Sequence, residues 1–122
     1  MNLKIYLKGE KTNCGNENSW RDASDSGWFS YQLKVTENEP LELVMTYNSL
    51  DGGNREFKIF ADDVKIGFQK LRTETFSAMI ERSYRIPSDI VKGKEKITIK
   101  IQSVPGNIAG GVYGLRIQKL SK

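Results

Sequence analysis

The chain has 122 residues, 38% of them hydrophobic and 28% charged, which is enough for one hydrophobic core and too apolar for a disordered chain, so one domain spanning residues 1–122 is expected. Its 19 Lys and Arg and 15 Asp and Glu give a formal net charge of +4 with the two signs interspersed; this reads as a mixed solvated surface, not the concentrated basic face of a nucleic-acid binder. There is no histidine and one cysteine, Cys14, which excludes an intrachain disulfide and a histidine base and leaves structural zinc without its ligands, while no run of about eighteen apolar residues offers a membrane span.

Along the chain, apolar residues recur at every second position, the spacing that puts them on one face of a strand. The first such run is Leu3, Ile5 and Leu7; its alternation with charge is unlike the apolar block of a signal peptide, so no export signal is expected. Residues 11–26 are polar and long for a loop, with Trp20 and Ala23 as anchors. Further runs are Tyr31, Leu33, Val35; Leu41, Leu43, Met45, Tyr47; Phe57, Ile59, Ala61; and Val64, Ile66, Phe68. The last are Phe76, Ala78, Ile80; Ile97, Ile99, Ile101; and Tyr113, Leu115, Ile117.

Turn-forming residues separate these runs: Asn38 to Pro40, Asp51-Gly52-Gly53-Asn54, Asp62-Asp63, Lys92-Gly93-Lys94 and Pro105-Gly106-Asn107. Only Pro87 to Val91 invites a helical turn, which Gly93 ends. About eight strands, several neighbouring ones hairpin-connected, predict an all-β fold, an antiparallel β-sandwich of jelly-roll or galactose-binding-like type.

Catalytic chemistry finds little support. A Ser, Thr or Cys nucleophile has no recognisable base beside it, no pair of carboxylates is singled out, and Gly110, Gly111 and Gly114 lack the following helix and lysine of a phosphate loop. An independent enzyme is therefore not expected, nor is any cofactor. Oxygen ligands abound in residues 11–26 and near Asp51 and would suit a structural calcium ion, but no EF-hand spacing supports one.

The segments Trp20-Arg21-Asp22-Ala23 and Gly27-Trp28-Phe29-Ser30-Tyr31 gather both tryptophans with other aromatic and polar residues. Flat rings stack on the C–H face of a pyranose, while Arg, Asp and Asn bond its hydroxyls, so Trp20, Arg21, Asp22 and Trp28 are candidate carbohydrate-binding residues. Tyr47, Asp51, Asn54 and Arg55, flanking a glycine-rich hairpin, join them. The competing reading gives the aromatics to core or sheet-edge packing, Arg21 and Asp22 to loop hydrogen bonds, and Asp51 and Asn54 to the turn itself.

Gly27-Trp28-Phe29-Ser30-Tyr31, Asp51 to Phe57 and Pro105 to Gly114, with Trp20 to Ala23 and Tyr84-Arg85-Ile86-Pro87 taken as a connector, resemble the uncharacterised C-terminal domain of bacterial glycoside hydrolase family 127 proteins, the β-L-arabinofuranosidase-like enzymes. The resemblance runs from about Asn2 to Lys119. It implies an accessory domain, since that family's catalytic machinery, including a metal-bound cysteine and glutamate, belongs to a separate α-helical barrel. No position here matches those residues, Cys14 included. It also implies a parent catalytic domain as partner and a bacterial periplasmic or extracellular address. Two functions follow as expectations: an accessory module that binds oligosaccharide, or a scaffold packed against the catalytic domain. Trp20, Trp28 and Tyr47 separate them, since exposure side by side favours a ligand and burial favours a scaffold.

Overall fold

The alternation becomes nine strands and one helical turn in the described part of a computed structural model, residues 4–15, 20–35, 40–48, 55–71 and 79–120. In chain order these are β1 (Lys4–Cys14), β2 (Arg21–Lys34), β3 (Leu41–Asn48), β4 (Arg55–Ala61) and β5 (Val64–Leu71). Then follow β6 (Met79–Ile86), α1 (Ser88–Val91), β7 (Lys96–Ser103), β8 (Ile108–Val112) and β9 (Gly114–Lys119). One sheet runs β1-β2-β7-β4-β5, with β8 added against β2; the other runs β6-β3-β9. Every pairing is antiparallel.

The two sheets close a sandwich because one face of each is apolar. Phe29, Leu33, Phe57, Ile59, Ile99 and Ile101 from the larger sheet share a core with Leu43, Met45, Tyr47, Ile86 and Ile117 from the smaller. Each such buried side chain contributes about 1.5–3 kcal/mol, so parity along the strands sets the register. The turn α1 adds Ile90 and Val91 to this core.

One polar chain also crosses between the sheets. The Tyr47 and Tyr84 hydroxyls lie 2.8 Å apart, and Tyr84 donates to Gln69 Oε1 at 2.6 Å. This links β3 and β6 of the smaller sheet to the β5 edge of the larger. Gly67 on β5 makes room for it: a Cβ there would stand 2.6 Å from the Tyr84 ring.

Three stretches depart from the sequence reading. The described residues of the 11–26 stretch do not form a loop: β1 continues to Cys14, Gly15 N donates to Trp20 O at 2.9 Å, and β2 begins at Arg21. This edge hairpin is held by its ladder and is exposed or half-buried at most positions, so it needs no apolar alternation. Within it, Ser24 to Gly27 stand opposite Lys11 alone before pairing resumes at Glu10 and Trp28. The strand β8 was not anticipated because Gly110 and Gly111 weaken its sequence signal; it is held by pairing with β2. Tyr84 to Ile86 complete β6 instead of forming a connector. Leu3, Asn38, Asp51 to Asn54, Phe76 and Ala78 lie outside the described residues.

The Asp62-Asp63 turn is a two-residue hairpin with φ of 44° and 67°, the paired positive values of a type I′ turn. Asp62 fixes it to β7 by accepting from Thr98 N at 2.7 Å, and its other oxygen accepts from Lys94 at 2.5 Å.

Candidate functional site

At one end of the sandwich, Trp20, Asp22, Arg55, Gly111 and Tyr113 line a depression of about 190 Å³. Three separate stretches bring them together. The β1–β2 hairpin places Trp20 and Asp22, with Asp22 opposite Asn13 in the ladder. Pairing of Arg21 with Val112 sets β8, and hence Gly111, beside them. Tyr113 sits where the chain passes from the larger sheet to the smaller, its N–H held by Thr46 O at 2.8 Å. Arg55 opens β4 and donates from Nη1 to Gly110 O at 2.7 Å, which fixes the guanidinium against β8.

All four side chains are half-buried, so each is held in place while keeping a face open. Together they offer an indole surface, a carboxylate acceptor, a guanidinium with several donors and a phenol that can donate or accept. That set suits a small polyhydroxylated ring, stacked on one side and hydrogen-bonded at its edge. Among the described residues Asp22 is the one acid of this lining, which holds no Ser, Thr, Cys or Lys.

Of the residues singled out from sequence, Trp20, Asp22 and Arg55 therefore converge. Arg21 does not: strand alternation turns it the other way, with its guanidinium carbon 3.9 Å from the Tyr6 ring centroid and Nη1 bonded to Thr12 Oγ1 at 3.3 Å. It also stands beside Tyr31, whose phenol is pushed up by burial and only partly drawn back by Arg21. Trp28 is on the outer face of the larger sheet, in a separate cleft with Lys8, Asp62, Asp63, Thr98 and Lys100.

Tyr47 is a correction to the sequence reading. Its side chain is fully buried, 5.7 Å from Phe57 between ring centroids, and cannot reach a surface ligand. It has the same parity on β3 as Leu41, Leu43 and Met45, all buried, and that spacing was the available signal. Asp51 and Asn54 lie outside the described residues. Trp20, Trp28 and Tyr47 thus occupy three different places. Gly111 and Tyr113 were not singled out as site residues; Tyr113 has the apolar spacing of a strand, and only the crossing between sheets brings it to the depression.

The fold is shared with solved structures. A family 35 carbohydrate binding module from Clostridium thermocellum superposes with a TM-score of 0.70 at 8% identity, covering 98% of this chain and 99% of that one. A Xyl-CBM35 in complex with a glucuronic acid containing disaccharide gives 0.65 at 10% identity, over 99% and 94%. A family GH115 4-O-methyl-α-glucuronidase with specificity for decorated arabinogalactans gives 0.69 at 12% identity, where 98% of this chain covers 18% of the enzyme. At such identities the likeness is one of fold. No curated protein sequence matches the chain. A model for a family of unknown function, DUF6805, matches residues 5–118, nearly the whole sandwich, and the chain belongs to that family.

Proposed function

We propose that this chain is a non-catalytic carbohydrate-binding module whose ligand, a single sugar ring or chain end, seats in the depression between Trp20, Asp22, Arg55 and Tyr113. The observation that carries this reading is the convergence of an indole, a carboxylate, a guanidinium and a phenol from distant stretches onto one small concavity. A fold shared with carbohydrate-binding modules supports it. A depression of this size makes few contacts, so affinity is modest.

Trp20→Ala is expected to weaken binding by about tenfold or more without unfolding the protein, because the ring is half-buried at the rim and not in the core. A glycan array of plant-type oligosaccharides identifies the ligand, and calorimetric titration of wild type and variant measures the loss. An array on which the folded protein binds nothing, or a ligand indifferent to Trp20→Ala, would sink the reading.

We also infer that the module accompanies the catalytic domain of a bacterial glycosidase of the periplasm or medium. The resemblance to the family 127 C-terminal domain supports this, as does the same fold within a much longer glucuronidase. A scaffold role has one observation in its favour: Ile5 and Leu7 are 58% and 43% exposed on β1, the outermost strand of the larger sheet. That reading expects Ile5→Lys with Leu7→Lys to abolish association with a catalytic domain and leave glycan binding intact.

A further inference from the structure

The charges that look interspersed in sequence are sorted by the fold. On the outer face of the larger sheet, β1 and β2 contribute Lys8 and Lys34, and β7 contributes Lys96 and Lys100. Strands β4 and β5 add Lys58, Lys65 and Lys70. Facing the same way are two strand acids, Glu10 and Glu56, with Asp62 and Asp63 at the rim. Glu56 is paired with Lys70 at 3.7 Å and Asp62 with Lys94. Among the described residues the other six lysines have no carboxylate within salt-bridge distance. The outer face of the smaller sheet is different, pairing Glu81 with Arg116 at 2.8 Å and Glu42 with Gln118 at 2.9 Å.

Two details show that this excess has a direction. Lys34 and Lys96 are direct cross-strand partners, a like-charge juxtaposition that disfavours the pairing unless an anion sits over it. Lys8, Ser30, Lys100, Phe60 and Lys65 occupy one row across five strands. With neighbouring strands about 4.8 Å apart, the row's three ammonium groups stem from positions about 10 Å apart, close to the span of two linked pyranose residues. Lys100 Nζ lies 5.0 Å from the Phe60 ring centroid and 5.7 Å from Trp28, and Lys65 Nζ lies 5.6 Å from Phe68. These contacts hold the cations over the aromatic rings. Beside Lys100 is the Trp28 cleft of about 390 Å³.

We propose that this face is a second binding surface, separate from the end depression, for an extended anionic polysaccharide whose carboxylates meet the lysine row while its sugar rings lie along Trp28 and Thr98. A nucleic acid fits less well. Among the described residues the face carries lysines, which offer point charges, without the arginines that grip phosphate in bidentate fashion.

The test uses polygalacturonate, its methyl ester, which keeps the backbone and loses the charge, and an oligothymidylate, each titrated against the whole chain at low and physiological salt. Polygalacturonate is expected to bind and to weaken as salt rises. The methyl ester should bind much more weakly, and Lys8→Gln with Lys100→Gln should cost about five- to tenfold. Trp20→Ala should change none of this, so failure of the end site and failure of this face are told apart. Both lysines project from the solvent face, and a retained urea midpoint confirms that the double variant folds. Absence of polygalacturonate binding, equal binding of the ester, indifference to the lysine substitutions, or tighter binding of the oligothymidylate would each overturn the proposal.

Discussion

Replacing Gly110 by alanine is expected to lower the free energy of unfolding by about 2–4 kcal/mol and to abolish binding at the end depression. Gly110 has φ of +93°, and a Cβ there would stand 2.8 Å from Val112 N and 2.9 Å from Arg21 O. Both are backbone atoms of the β2–β8 pairing, so relief requires β8 to move off β2. The carbonyl that accepts from Arg55 belongs to the same residue, and Gly111 and Tyr113 follow directly after it. Displacing β8 therefore dismantles one wall of the site and frees the guanidinium of the other. Gly106→Ala is the control: φ is +78°, but nothing lies within 4 Å of the new methyl group, so a cost of about 1 kcal/mol is expected with the site intact. Urea unfolding and ligand titration on both variants make the comparison; equal behaviour of the two would contradict this account of β8.

A second large effect is expected in alkali. Burial pushes the Tyr84 phenol up to about 12, and it pushes Tyr47 well above the ordinary value of 10. In the unfolded chain both phenols ionise near pH 10. Below that pH each tyrosine is protonated in both states and stability is fully present. As pH rises from 10 towards 12 the unfolded state releases protons that the folded state retains, so stability falls. A two-unit displacement at Tyr84 corresponds to about 2–3 kcal/mol lost across that window, and Tyr47 adds in the same direction. Urea midpoints should be flat from neutrality to about pH 10 and then drop, with tyrosinate absorbance appearing in step with unfolding. Tyr84→Phe should make the alkaline limb shallower, at the expense of about 1 kcal/mol at neutral pH for the hydrogen bonds to Tyr47 and Gln69. An alkaline limb that is unchanged in Tyr84→Phe would assign the effect elsewhere.

The strands that build the core were legible because burial on one side imposes a period of two. Ile97, Ile99 and Ile101 or Leu41, Leu43 and Met45 leave little choice of face. What escaped was held by other forces. The outer half of β1 and the start of β2 form an edge hairpin in which polar side chains are tolerated on both sides. In β8, two glycines remove the side chains that would have shown an alternation.

For the site, Trp20 and Asp22 were visible as a local cluster of unusual residue types, and Arg55 as a polar residue beside a turn. Their association with Tyr113 depends on a chain crossing between sheets, which no local pattern encodes. The lysine face is an intermediate case. Lys96 and Lys100 have opposite parity to Ile97, Ile99 and Ile101, so their common side could be read from β7 alone. That Lys8 and Lys65 fall in the same row needs the strand order.

The excursion of β2 opposite Lys11 divides that strand into two segments with different neighbours. Beyond it, residues from Trp28 onward are locked in register by Ile97, Ile99 and Ile101 of β7. Before it, Arg21 to Ala23 pair with the outer part of β1 and with β8. The excursion is itself tied down, with Asp25 N bonded to Asn107 O and Asp25 Oδ1 accepting from Gly106 N. A strand interrupted in this way acts as a mechanical break. Substitutions or insertions in the hairpin tip that carries Trp20 and Asp22 can be absorbed there without slipping the core register. The tip is thus free to change in sequence on a frame whose folding is insulated from the change.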